Sequence, residues 1–187
     1  MKPLFTVHAG EFLVGCEIER RFRDVNVWIP AKDTGIDLLV SDKRNKTTVS
    51  VQIKFSRDYL VTNKDMAQFR RQLSAAGWWT PTRKEIADSR ADYWIFVLIG
   101  FGNRSTDFVI IPPRDLLTHL NAINTTTAEK LHIYFWVTNR RKCWNARGLK
   151  KSDRVLIADG TFLDAERDFT AYLNNWEPVE ALNDASI

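Results

Sequence analysis

Residues 35–56, GIDLLVSDKRNKTTVSVQIKFS, constrain the fold more than any other stretch of the chain. Side chains alternate faces along a strand. In TTVSVQIKF, Val49, Val51, Ile53 and Phe55 therefore share an apolar face, and Thr48, Ser50, Gln52 and Lys54 share the opposite one. In GIDLLVS, Ile36, Leu38 and Val40 separate in the same way from Gly35, Asp37, Leu39 and Ser41. DKRNK between them is too polar for anything but a turn. A loop symmetric about Arg44 and Asn45 pairs residues whose numbers sum to 89, which sets Asp37 across from Gln52 and Gly35 across from Lys54. Opposed residues in an antiparallel pair lie about 4.5–5.5 Å apart, and alternate residues of one strand about 6–7 Å apart. A carboxylate, an amide and an ammonium are thus expected on one patch of a small sheet.

The hairpin is preceded by a helix expected over residues 10–23, where Val14, Ile18 and Phe22 recur at helical spacing and Glu17, Glu19, Arg20 and Arg21 fill the other face. Glu11 heads the apolar stripe of that helix. An acid in a first turn is favoured by the helix dipole alone, and it is also placed to look down onto a sheet. VNVWIP reads as a short strand ended by Pro30. Residues 65–76 suggest a second helix, with Met66, Phe69 and Leu73 on one side and Gly77 as its C-cap. DYWIFVLIGF and TDFVIIP read as strands around the turn GNRS, PRDLLTHLNAI as a helix with Pro113 near its start, and LHIYFWVT as a strand. A final helix is expected over DAERDFTAYLNNW with Asp164 as its N-cap, followed by a frayed tail from about residue 178. Strands alternating with helices point to an α/β or α+β sheet covered by helices on both sides.

At 187 residues the chain is expected to form a single domain with its own core. Hydrophobic residues make up 44% and charged residues 27%, values ordinary for a globular protein. Nothing approaches 18 uninterrupted apolar residues, and the N-terminus has no signal-peptide pattern. Cys16 and Cys143 show neither metal nor redox spacing, and a reduced, cytoplasmic setting is expected. There is no phosphate-binding GxxxxGK[ST] loop, no GxSxG elbow, and no metal-binding spacing among His8, His119 and His132. The net charge is +4, but residues from Asp159 onward carry −6 and the rest of the chain therefore +10. Residues 138–154, TNRRKCWNARGLKKSDR, hold seven basic residues against one acid. Such a run is compatible with nucleic acid or with a solvated face.

Asp37, Gln52 and Glu11 offer hard oxygen ligands suited to Mg²⁺ or Mn²⁺ rather than to zinc, and the backbone carbonyl of Ile53 is a further donor. Lys54 beside such an ion would orient and help deprotonate an attacking water, while the ion offsets charge developing on a phosphoryl oxygen. A structural Asp–Lys pair with Gln52 bonded nearby accounts for the same residues.

The stretch GEFLVGCEIERRF…VNVWIP…DTGIDLLV…VSVQIKFS, from about Gly10 to Ser56, resembles the PD-(D/E)xK nuclease superfamily, which includes restriction endonucleases and archaeal Holliday junction resolvases. In that family a helix bearing a glutamate precedes a hairpin that holds Asp and then (Asp/Glu)-x-Lys. Glu11, Asp37 and Lys54 fall on those positions, with Gln52 on the second acidic one and Ile36 where the motif name has Pro. The resemblance implies an α/β fold with a restriction endonuclease-like core, a mixed four- or five-stranded sheet flanked by helices. It implies Mg²⁺-dependent (or Mn²⁺-dependent) hydrolysis of phosphodiester bonds, most readily in DNA, leaving a 5′-phosphate. Asp37, Gln52, Lys54 and Glu11 become the catalytic candidates; Asp37, Gln52, Glu11 and the Ile53 carbonyl become the metal ligands. The amide at Gln52 removes one negative charge, so a catalytically inactive nucleic-acid-binding module on the same fold is the alternative. Ser56 and Arg57 follow the lysine and are candidate phosphate contacts, as are Arg140, Arg141, Lys142, Arg147, Lys150 and Lys151, with Trp144 a stacking candidate. Cutting both strands of a duplex would call for two active sites, hence a possible homodimer.

Overall fold

The computed structural model describes residues 9–32, 34–100, 105–124 and 128–184. The hairpin forms in the expected register: β2 (Leu38–Asp42) pairs antiparallel with β3 (Thr48–Ser56), Leu38 opposite Val51 and Val40 opposite Val49. The Asp42 carboxylate fixes the turn by accepting from the Lys46 and Thr47 N–H groups at 2.6 and 3.1 Å, and Asn45 takes the left-handed conformation (φ 54°) there. The ladder closes at Leu38. Gly35 (φ 80°) therefore lies outside the strand, not in a paired position across from Lys54.

β1 (Val25–Trp28) adds antiparallel to β2, β5 (Tyr93–Gly100) parallel to β3, and β6 (Ser105–Ile111) antiparallel to β5, giving a mixed five-stranded sheet in the order β1-β2-β3-β5-β6. The parallel step needs a crossover. It consists of α2 (Tyr59–Thr62), a 3-10 turn (Lys64–Phe69), β4 (Leu73–Trp79) and α3 (Arg83–Ala87). β4 founds a second, antiparallel sheet, β4-β7-β8, with β7 (Ile133–Thr138) and β8 (Cys143–Asn145). The fold is thus α/β with a mixed five-stranded sheet, to which a three-stranded sheet is added.

One face of the large sheet carries Val51, Ile95, Val97, Phe108 and Ile110. It is covered by Val14 and Ile18 of α1 (Ala9–Arg21) and by Val179 and Leu182 of α6 (Glu177–Asp184). The other face carries Trp94, Phe96, Leu98, Val109 and Ile111. It packs on Ala75, Trp79, Phe135 and Val137 of the second sheet, with Leu116 and Leu120 of α4 (Pro113–Ile123) completing this core. Helices thus dominate one side and a sheet dominates the other, where helices were expected on both.

Three of the expected segments fold differently. The helix expected over residues 65–76 is the 3-10 turn followed by β4. Gly77 is required there because the Trp79 ring lies over the strand: a Cβ on Gly77 would sit 2.4 Å from Trp79 Cη2. The helix expected from Asp164 is two 3-10 turns, Ala165–Arg167 and Thr170–Tyr172. Asp164 does cap the first, accepting from the Glu166 and Arg167 N–H groups, but Phe169 is drawn fully into the core and breaks the helical path. The tail expected to fray is α6 as far as Asp184, because Val179 and Leu182, three residues apart, bury one stripe against the sheet; residues 185–187 lie outside the description. The turn GNRS falls almost wholly outside it, as does His8. α2, α3, β8 and α5 (Lys151–Asp159) form where no element was expected. No helix among the described residues is long and apolar enough to cross a membrane.

Candidate functional site

Asp37 stands one residue before β2. Its N–H donates to the Val51 carbonyl at 2.8 Å, continuing the ladder by one bond. Its side chain turns back, and Oδ2 accepts from the Ile53 N–H at 2.6 Å. A strand residue directs its N–H and C=O to the same neighbour. The Ile53 carbonyl therefore points to the side that Asp37 occupies, where β2 has already ended. Gln52 and Lys54 flank Ile53 on the face that also bears Trp94 and Phe96, their register partners in β5. The hairpin thus brings Asp37, the Ile53 backbone, Gln52 and Lys54 together at one end of β2.

Glu11 approaches from the other layer. It lies in the first turn of α1 and is buried (4% exposed). Gly10 beside it packs so closely on β3 that an added Cβ would lie 2.9 Å from Phe55 Cβ and 3.1 Å from Ile53 Cγ2. Ile53 and Phe55 face α1, whereas Gln52 and Lys54 face the second sheet. The four side chains are therefore not on one face, and Glu11 can join the other three only past the open edge of β3 beside Ile53.

Lys54 and Gln52 open onto two adjoining clefts that share a residue sequence reasoning missed, Glu85 of α3. Lys54 Nζ lies 4.8 Å from the Trp94 ring centroid, in a cleft completed by Trp79, Pro81 and Glu85. Gln52 shares the other cleft with Gly35, Glu85 and Arg90. Glu85 closes a capping box: Thr82 N–H donates to its carboxylate at 2.6 Å, and the Glu85 N–H donates to Thr82 Oγ1 at 3.0 Å. The Thr82 N–H first, then the Thr82 side chain and last the Lys54 charge hold the Glu85 carboxyl below its usual range against the opposing effect of burial. The T-x-x-E spacing of residues 82–85 signals such a helix start, but nothing local to it announces Lys54 as a neighbour.

The remaining candidates are scattered. Ser56 is buried, accepting from the Trp78 N–H and donating to the Arg57 carbonyl, both at 3.1 Å; it joins β3 to β4 and does not meet solvent. Trp144 is likewise a core residue, 7% exposed with its ring 5.1 Å from Phe162, and offers no face for stacking. Arg140 donates to the Asp159 carbonyl at 2.9 Å, at the C-terminal end of α5, and Arg141 pairs at 2.8 Å with the buried Asp107. Lys142 is exposed, and Lys150 and Lys151 open α5 at its other end. A nine-residue helix is about 13 Å long. The basic run is therefore divided between the two ends of α5 and is not a single patch. Arg57 and Arg147 lie instead over Tyr59 and Trp78, at 5.4 and 5.6 Å from the ring centroids.

No family model, no curated protein and no solved structure matches this chain.

Proposed function

We propose that the chain is a metal-dependent endonuclease of the PD-(D/E)xK type that hydrolyses phosphodiester bonds in DNA. The observation that carries this reading is the 2.6 Å bond from the Ile53 N–H to Asp37 Oδ2, which holds a carboxylate at the backbone of the residue between Gln52 and Lys54. The helix–hairpin order and the mixed five-stranded sheet support it.

The donor set fits Mg²⁺ or Mn²⁺. Asp37, Gln52, the Ile53 carbonyl and, past the open edge of β3, Glu11 are all oxygen donors, and Mg²⁺ takes one or two carboxylates with water and substrate oxygens completing its shell. Among the described residues no three acidic, histidine or cysteine side chains gather, so the proposed site rests on two carboxylates, an amide and a backbone carbonyl. When bound, the ion supplies an acidified water and a counter-charge for the phosphoryl group. Asp37 is held in place by its backbone bond. Lys54 orients the water and donates to the phosphoryl oxygen as negative charge develops there, with Glu85 lining the same cleft. Gln52 contributes an amide oxygen in place of a carboxylate and so weakens the ion's affinity. The unpaired thiols Cys16 and Cys143 suit a cytoplasmic enzyme.

The test is nicking of supercoiled plasmid in Mg²⁺ and in Mn²⁺. Asp37→Ala and Lys54→Ala are each expected to lower the rate by about 100-fold or more, and Gln52→Glu to lower the ion concentration needed for half-maximal cutting. Cleavage that survives both alanine substitutions overturns the assignment. The amide at Gln52 favours one second reading, a nucleic-acid-binding module without cleavage, and salt-sensitive binding with no cut in either ion would establish it.

A further inference from the structure

The outer face of the second sheet carries a surface that the proposed chemistry does not use. Tyr134 and Trp136 of β7, with Trp78 of β4, point away from the core between the two sheets. Over Trp136 and Trp144 this face is closed by Leu60, Met66, Phe69 and Ile157. The cover stops at Tyr59, Trp78 and His132, which are only half-buried. Trp78 is the centre of this end: its ring lies 5.7 Å from Tyr59, 5.9 Å from Tyr134 and 6.0 Å from His132.

Three features say what such a surface receives. Guanidinium groups lie over two of its rings, Arg57 over Tyr59 and Arg147 over Trp78. Burial, and then the Arg147 and Lys130 charges, push His132 below its usual pKa, which marks the surroundings as cationic. Two ring nitrogens, Trp78 Nε1 and His132 Nδ1, are buried with no partner among the described residues, although buried polar atoms are generally satisfied. Clustered aromatic rings beside guanidinium groups suit flat bases joined by phosphates. A duplex hides its base faces and could use only the cations.

We propose that Tyr59, Trp78 and His132 form a stacking platform for the bases of single-stranded nucleic acid, with Arg57 and Arg147 on the flanking phosphates. The main chain that carries Trp78 is bonded to the strand that carries Lys54. The Trp78 N–H bonds to Ser56 Oγ at 3.1 Å, and Ser56 lies two residues beyond Lys54, about 6–7 Å along β3. The Trp78 ring lies on the outer face of the second sheet and Lys54 on the side of Trp79 and Trp94. A strand stacked on Trp78 must therefore bend around β4 to reach Lys54, which an unpaired or branched region can do and continuous duplex cannot. The direction of this path rests on the nuclease reading; the stacking itself does not.

Fluorescence anisotropy of the full-length protein in EDTA, with a labelled 15-mer oligothymidylate and a blunt duplex of equal length, separates the two. The single strand is expected to bind at least about 10-fold more tightly, and Tyr59→Ala and Trp78→Ala each to weaken it about 5- to 100-fold. Because Trp78→Ala opens part of the packed face, the exposed pair Arg57→Ala/Arg147→Ala serves as a second variant and should weaken binding while leaving the thermal melt in place. Equal affinity for duplex and single strand, or single-strand binding unchanged in Tyr59→Ala and in the double arginine variant, overturns the platform. Without a metal the assay is blind to cleavage. Failure of plasmid nicking therefore removes only the nuclease, and nicking without single-strand binding removes only the platform.

Discussion

Asp37 and Arg141 show how differently two charged residues of this chain are engaged. Asp37 sits at the end of a strand with its carboxylate on the Ile53 N–H, a position that organises the backbone of the candidate site. Arg141, by sequence a phosphate contact, is half-exposed but bonds at 2.8 Å to Asp107, whose side chain is only 3% exposed. Asn174 Nδ2 donates to the same carboxylate at 3.1 Å. An exposed ion pair contributes up to about 1 kcal/mol, whereas leaving a buried acceptor short of a donor costs about 1–3 kcal/mol. Arg141→Ala is accordingly expected to lower stability by about 1–3 kcal/mol in urea unfolding and to leave nucleic-acid affinity nearly unchanged. A large loss of affinity with unchanged stability would return Arg141 to the interface. Ser56 and Trp144 belong with it, as groups whose chemistry suggested a ligand and whose partners are internal.

Elements whose pattern is local were legible, and elements set by contacts from far along the chain were not. The β2–β3 register follows from period-two alternation and a polar turn, both contained within some twenty residues, so Asp37, Gln52 and Lys54 could be brought together from sequence. β4 could not be read in this way. Its Leu-Ser-Ala-Ala-Gly run has weak strand propensity and becomes a strand because it pairs with β7, about 60 residues later. α6 is a second case: Pro178 is tolerated in a first turn, but two buried apolar residues justify a helix only when a sheet lies beneath them. Leu182 is 3% exposed against that sheet. Leu182→Ala should therefore cost about 2–4 kcal/mol, read from the urea midpoint. A cost below about 0.5 kcal/mol would mean that α6 is not docked.

At the scale of the molecule, the two sheets divide the work. The large sheet carries the candidate chemistry at the end of β2. The small one buries Trp79 and Phe135 against it while its outer face carries Trp78, Tyr134, Trp136 and Trp144, with Tyr59, Trp78 and His132 left partly open there. The net charge of +4 is modest, and the cations are spread over the platform and both ends of α5. Binding should thus depend on salt through a few phosphate contacts. The slope of log affinity against log salt for single strands is expected to flatten by about 0.7 for each contacting cation removed. Arg147→Ala should show this step in a salt titration, and Lys46→Ala, on the distant hairpin turn, should not. Equal slopes for the two variants would rule out a phosphate at Arg147.

From sequence alone came the hairpin, its register, the alternation that pairs Gln52 with Lys54, and the class of sheet, because each depends on neighbours along the chain. Tertiary structure decided that Glu11 lies in the opposite layer, that Glu85 shares the Lys54 cleft, that the basic run is split by a helix, and that Trp78 stays half-open while Trp144 is buried. Those outcomes depend on which surfaces meet after the crossover folds, and the energy of such meetings is not written in any local pattern.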